Sequence, residues 1–224
     1  MRVRIAALVT AAAGTALYVA FLRPRMAVWG ATPAEVAQPM PGDDLIPDPR
    51  VVTTRAITID APPERVWPWL VQIGQGRGGL YSYDVLENLI GLEIHSANRI
   101  VPELQALAVG DDISLAPDNA MPLRVVVLRL NEALVIRTWD ISADAPVAAG
   151  DFFAGKIAGS WAWTLTPLPG GRTRLIARWR ASWRNALPVT IVQHLALDPA
   201  QFIMERKMLL GIKARAERRQ QTST

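Results

Sequence analysis

Six stretches of the chain alternate apolar and polar residues at the period of a β-strand. Val51 to Asp60 sets Ile57 and Ile59 against Thr58 and Asp60. Asp112 to Leu115, Leu123 to Leu130, Ala133 to Asp140, Ile157 to Pro167 and Arg172 to Trp183 show the same alternation. Successive side chains of a strand point to opposite faces, so this period predicts strands with one buried face. Asn131-Glu132 and Pro169-Gly170-Gly171 supply turns between neighbours. Trp161, Trp163 and Leu165 share one face of their strand, and Leu175, Ala177 and Trp179 share one face of the next. Arg174, Arg178 and Arg180 take the opposite face and are expected in water, with the tryptophans in a core or cavity.

Helical periods separate these stretches. In APPERVWPWLVQIG, Pro62 and Pro63 can open a helix, Glu64 suits its first turn, and Val66, Trp67, Leu70, Val71 and Ile73 form its apolar side. Pro68 predicts a kink there. A second helix is expected from Ser82 to Gly91 and a short one around Pro102 to Leu107. The last and longest runs from about Pro199 to Arg219, with Asp198 as its cap. Leu197, Met204, Met208 and Ile212 make its apolar stripe. The order is α+β, with helices on one face of an antiparallel sheet.

The N-terminus follows neither period. Ile5 to Leu22 holds eighteen residues and no charge. As a helix it is about 27 Å long, close to the hydrocarbon thickness of a bilayer. Arg2 and Arg4 precede it and Arg23 and Arg25 follow it, so the flanks give no orientation. A cleaved signal peptide shares the charged start, but the run is long for one. No small-residue cleavage site precedes the arginines, and an uncleaved anchor is expected. Five prolines between 26 and 50 predict a linker or irregular lead-in, with one helical turn at Thr32 to Val36 capped by Thr32. The expected organisation is an anchor over 1–25, a linker over 26–50, a domain over 51–219 and a tail over 220–224.

Composition narrows the chemistry. The 224 residues carry a net charge of +4, and much of the basic excess lies near the ends, at Arg2, Arg4, Arg23, Arg25, Lys213, Arg215, Arg218 and Arg219. That placement suits anionic lipid headgroups better than nucleic acid. There is no cysteine, which excludes disulfides, thiolate catalysis and cysteine-bound zinc. His95 and His194 are the only histidines, too few for a three-histidine metal site. Gly74 to Gly79 fits G-x-G-x-x-G but follows a helix, so a flexible loop at a cavity mouth is expected in place of a nucleotide site. No cofactor and no nucleic-acid partner is expected.

The run ITIDAPPERVWPWL, with Ala61, Pro62, Val66 and Trp67, resembles the opening of the SRPBCC superfamily. That group includes START lipid-transfer domains, Bet v 1-like allergens and polyketide cyclase/dehydratase-like proteins. GQGRGGLYSYDVLENLIGLEIHSANRIVPE and FIMERKMLLGIKARAE look similar to a bacterial branch of it. The resemblance spans roughly residues 50 to 218 and implies a helix-grip fold, a curved antiparallel sheet around a long C-terminal helix. It implies binding of lipids, hormones or polyketides, and in some members catalysis; fold alone does not choose among these.

Asp84, Glu87 and Asn88 share helical spacing, and a carboxylate pair can do acid–base work where burial separates its pKa values. His95 and Arg99 add a base and an anion clamp. These four titratable residues, Asp84, Glu87, His95 and Arg99, are the catalytic candidates. Tyr83, Trp139, Trp161, Trp163, Trp179, Met204 and Met208 are the candidates for contact with a hydrophobic ligand. Three readings follow: a membrane-anchored binding protein for a lipid-like or polyketide-like molecule, a cyclase/dehydratase-type enzyme, and a membrane-attached interaction domain with a filled core.

Overall fold

The alternating stretches build one six-stranded antiparallel sheet in the computed structural model, which describes residues 13–138, 157–183 and 187–218. Its strands are β1 (Val51–Ile59), β2 (Asp112–Ser114), β3 (Pro122–Arg129), β4 (Ala133–Thr138), β5 (Ala158–Leu168) and β6 (Arg172–Ser182). They lie in the order β1-β6-β5-β4-β3-β2. The helices are α1 (Arg23–Ala27), α2 (Pro33–Ala37), α3 (Pro63–Val71), α4 (Asp84–Leu89), α5 (Leu187–Val192) and α6 (Asp198–Glu217). Register on the longest hairpin opposes Trp161 to Trp179, Trp163 to Ala177 and Leu165 to Leu175. The two predicted apolar faces therefore coincide.

That shared face is concave and receives α6. Met208, Leu209 and Ile212 of α6 join Leu175, Ala177, Trp163, Leu134 and Ile136 of the sheet and Val66, Trp67 and Leu70 of α3 in the main core. This is the sheet-and-helix arrangement that the resemblance implied. Gly211 lets α6 approach the backbone at Tyr81: a Cβ there would lie 2.2 Å from the Tyr81 carbonyl oxygen. The Arg215 guanidinium then covers the Tyr81 ring at 4.7 Å.

The convex face is covered, and this corrects one expectation. Arg174, Arg178 and Arg180 take the predicted face, but Arg178 is buried and the other two are only partly exposed. Residues 28–50 lie across it, with Met40 packed on Ala56, Val135, Ala162 and Ile176. Arg178 is 3% exposed. It donates to the carbonyls of Glu35, Val36 and Gln38, to the Asp43 carboxylate and to the Thr54 hydroxyl. Arg174 forks onto Glu35 at 2.7 and 2.8 Å, and Arg180 donates to the Ile46 carbonyl. A proline-rich segment has free carbonyls and few N–H groups, and a guanidinium with five donors matches it. Helix α2 has its predicted cap: Glu35 N–H donates to Thr32 Oγ1 and Thr32 N–H to Glu35 Oε2.

A second correction concerns Asp198. It caps nothing, because helix continues from α5 through a π-helical turn, Gln193–Leu197, into α6. Asp198 is instead buried inside that helix, accepting from Arg23 Nε at 2.6 Å and from Gln193 Nε2 at 2.7 Å, with His194 Nδ1 at 3.1 Å. Residues 13–17, the π-helical turn Tyr18–Leu22 and α1 form one further helical stretch. Among the described residues no helix is long and apolar enough to cross a membrane; residues 5–12 of the expected anchor lie outside them.

Candidate functional site

Between the concave face and the start of α6 the structure leaves a cavity of about 470 Å³. Its position follows from where packing stops. The α6 residues toward the C-terminus fill the core, while Leu197, Ala200, Ile203 and Met204 face open space instead. The opposing wall is sheet, with Trp161, Trp179, Leu123 and Thr138, and the third side is Leu86, Glu87 and Ile90 at α4. Trp161 stacks at a tilt on Trp163 with ring centroids 4.5 Å apart and meets Trp179 edge-on at 6.1 Å. The aromatic wall is thus one cluster, not isolated rings.

Few polar groups reach this wall. Thr138 Oγ1 already accepts from the Gly159 N–H, and Gln193 Nε2 is committed to Asp198. Gln201 and Glu87 also line it, and Glu87 is the one that can ionise. It is 3% exposed, Oε1 accepts from the Ser82 hydroxyl, and Oε2 is buried with no partner among the described residues. Burial pushes its carboxyl above the ordinary value, Ser82 draws it down, and the Asp84 charge adds to the rise. A buried carboxyl with a raised pKa beside a cavity is a candidate for acid–base work.

Behind the tryptophans sits a buried ion pair. Arg55 Nη1 meets Glu205 Oε2, both side chains 1% exposed. Trp161 Nε1 donates to Glu205 Oε1 at 3.1 Å, and Arg55 Nε donates to the Met26 carbonyl at 2.9 Å. Burial pushes the Glu205 carboxyl up, and Arg55 opposes that. The network ties β1, β5, α6 and α1 together just behind the aromatic wall.

The sequence candidates divide accordingly. Glu87, Trp161, Trp179 and Met204 line the cavity. Trp163 and Met208 do not: both are closed into the core, because they face the packed half of α6 and the sheet. Tyr83 stands outside under Lys207, whose Nζ lies 5.4 Å from the ring centre. Asp84 is tied to Ser96, accepting from its N–H at 2.7 Å and its hydroxyl at 2.6 Å. His95 and Arg99 are exposed and form no part of the lining. Trp139 lies outside the described residues. The glycine loop does not form the cavity mouth: none of its residues lines the cavity, and Gly74 and Gly79 are joined by mutual backbone hydrogen bonds. Among the described residues no cluster of histidine and carboxylates is gathered closely enough to hold a metal ion.

Sequence reasoning missed Arg55 and Glu205. The signal was parity: Arg55 shares its strand face with Ile57 and Ile59, and an inward arginine requires a buried acceptor.

No protein-family model matches the chain, and no curated protein does. Solved structures are similar at low identity. A protein of Mesorhizobium loti is 18% identical, over 74% of this chain and 96% of its own, with a TM-score of 0.43. A protein of Helicobacter pylori is 13% identical over 81% and 96%, with a TM-score of 0.48. A truncated norcoclaurine synthase of Thalictrum flavum is 11% identical over 76% and 95%, with a TM-score of 0.44.

Proposed function

We propose that this chain binds a hydrophobic small molecule, lipid-like or polyketide-like, in the cavity between the sheet and α6, and that residues 5–22 anchor it to a membrane. The observation that carries the reading is the cavity itself. Its volume falls in the range of small-molecule sites, and its walls are apolar and aromatic with few polar groups. An apolar ligand gains by leaving water for such walls. Such a cavity counts against an interaction domain with a filled core. The anchor is supported by the eighteen uncharged residues of that run, helical from residue 13 where the structure describes it.

One observation favours a second reading, a cyclase/dehydratase-type enzyme. Glu87 is a buried carboxyl with a raised pKa at the wall of the cavity, which suits a general acid. Native mass spectrometry of the full chain, released from detergent, separates the readings. The binding protein is expected to carry a discrete added mass that organic solvent removes, and Met204→Trp, which fills the cavity, is expected to lose it while remaining folded. For the enzyme, Glu87→Gln would retain a mass differing from the wild-type ligand by one water. A bare wild-type mass, together with no binding of an added fatty acid, would overturn the binding reading.

A further inference from the structure

We propose that the mouth of the cavity opens onto the bilayer itself, so that a membrane-resident amphiphile passes between lipid and cavity without crossing water. The proposal rests on the anchored, ligand-binding reading above and adds a direction of entry to it.

Two helical stretches define that direction. Tyr18 Oη donates to the His194 carbonyl at 2.7 Å, and Arg23 Nε donates to Asp198 at 2.6 Å. Residue numbers rise together along both contacts, so the two stretches run parallel, side by side. Followed backward, the two run in the same direction: one toward residue 13 and the uncharged run that begins at Ile5, the other into α5. Leu17, Val19, Phe21 and Leu22 are exposed on the first; Ile191, Val192 and Leu195 are exposed on the second. A helix apolar on its solvent-facing sides is at home in lipid, not in water. Arg23 is the first charge after the run and is latched to Asp198. The α5–α6 boundary is thereby set at the depth where the hydrocarbon ends.

The cavity opens at that same boundary. Gln193, Leu197 and Ala200 line it, on the segment that carries the latch. Leu86, Ile90 and Ile203 line it too and are also exposed, which makes them its rim. On α4, Val85 and Leu89 extend the rim outward at 81% and 82% exposure, while the acidic Glu87 turns inward. Two cations of α6 lie over aromatic rings. Lys207 lies over Tyr83, and Arg206 lies over Trp29 at 5.1 Å. Aromatic rings paired with cations suit the headgroup layer, where phosphates meet them.

The absence of native cysteine makes the test direct. Leu89→Cys, Leu195→Cys and Leu130→Cys, each in the full chain, would carry an environment-sensitive fluorophore and be placed in phosphatidylcholine–phosphatidylglycerol vesicles. Leu130 is the aqueous control: it is 74% exposed and lies seven residues beyond the cavity residue Leu123, about 23 Å along β3. Labels at 89 and 195 are expected to shift to the blue, to resist iodide and to be quenched by brominated lipid, while the label at 130 is quenched by iodide. Iodide quenching at either position 89 or 195 equal to that at position 130 would overturn the proposal. That result with a ligand mass still present would remove the direction of entry and leave the binding reading intact. Shielded labels on a protein that binds no amphiphile would remove the binding reading instead.

Discussion

Glu205→Gln isolates the charge of the buried pair from its shape. The amide keeps an oxygen for the Trp161 indole N–H, held at 3.1 Å, and roughly preserves side-chain volume. What it removes is the negative charge facing Arg55, and Arg55 is 1% exposed with no route to solvent. Stranding one member of a buried pair costs about 3–5 kcal/mol; the remaining amide contact puts the expectation near the lower end, about 3 kcal/mol. For a domain of this size that lowers the melting temperature by about 6–12 °C. The assay is a near-ultraviolet circular dichroism melt of the full chain in detergent, with tryptophan emission followed in parallel. The double variant Arg55→Met/Glu205→Leu removes both charges and is expected to cost less than Glu205→Gln alone, since no uncompensated ion remains. A Glu205→Gln protein within about 1 kcal/mol of the wild type would refute the assignment of a charged pair at this position. A double variant less stable than the single would refute the argument that the penalty is electrostatic.

Glu87→Gln is expected to stabilise the protein at neutral pH. Burial raises the Glu87 carboxyl in the folded state alone, so stability is lost as pH rises from its unfolded value through the raised folded one. Urea midpoints of variant and wild type should coincide near about pH 4 and diverge toward about pH 8, and no divergence would contradict the raised pKa. Glu35 has the opposite sign. The Arg174 hydrogen bonds hold its carboxyl down to about 2, so it stabilises the fold above its unfolded value and loses that contribution as pH falls toward 2. Glu35→Gln should flatten the acid limb of the stability curve, and an unchanged limb would place that acid sensitivity elsewhere. Gly211→Ala drives a methyl toward the Tyr81 carbonyl and should cost about 1–3 kcal/mol or more in a thermal melt, whereas a neutral effect would mean that α6 is free to move off the Tyr81 loop.

The strands were legible because a strand with one buried face writes a period of two into its sequence, and β5 and β6 carry it with Ala162 and Ile176 as the breaks on the outer face. Parity also placed Arg174, Arg178 and Arg180 on the correct face. It did not disclose their environment. The cover comes from Glu35 to Ile46, more than a hundred residues earlier, and it combines the Glu35 and Asp43 carboxylates with backbone carbonyls, which leave no side-chain signature. The start of α6 was misplaced for a local reason. Asp198 followed by Pro199 spells a helix opening, yet the helix already runs from Leu187, and the aspartate is held inside it by Arg23, 175 residues away. Arg55 and Glu205 were hidden in the same way, each plausible alone and explained only by a partner 150 residues distant.

Helix α4 shows why the candidate site was half visible. Its spacing groups Asp84, Glu87 and Asn88 on one side. An amphipathic helix is expected to turn the polar side to water and the apolar side inward. Here Glu87 is buried, Asp84 and Asn88 are spent on Ser96 and Ile94, and Val85 and Leu89 face outward. Water alone does not stabilise that orientation. Exposing two large aliphatic side chains while burying an unpartnered carboxylate oxygen costs free energy twice, and the surrounding fold must hold the helix against it. The proposed bilayer at the rim would cover Val85 and Leu89, and the proposed ligand would lie against the wall that carries Glu87.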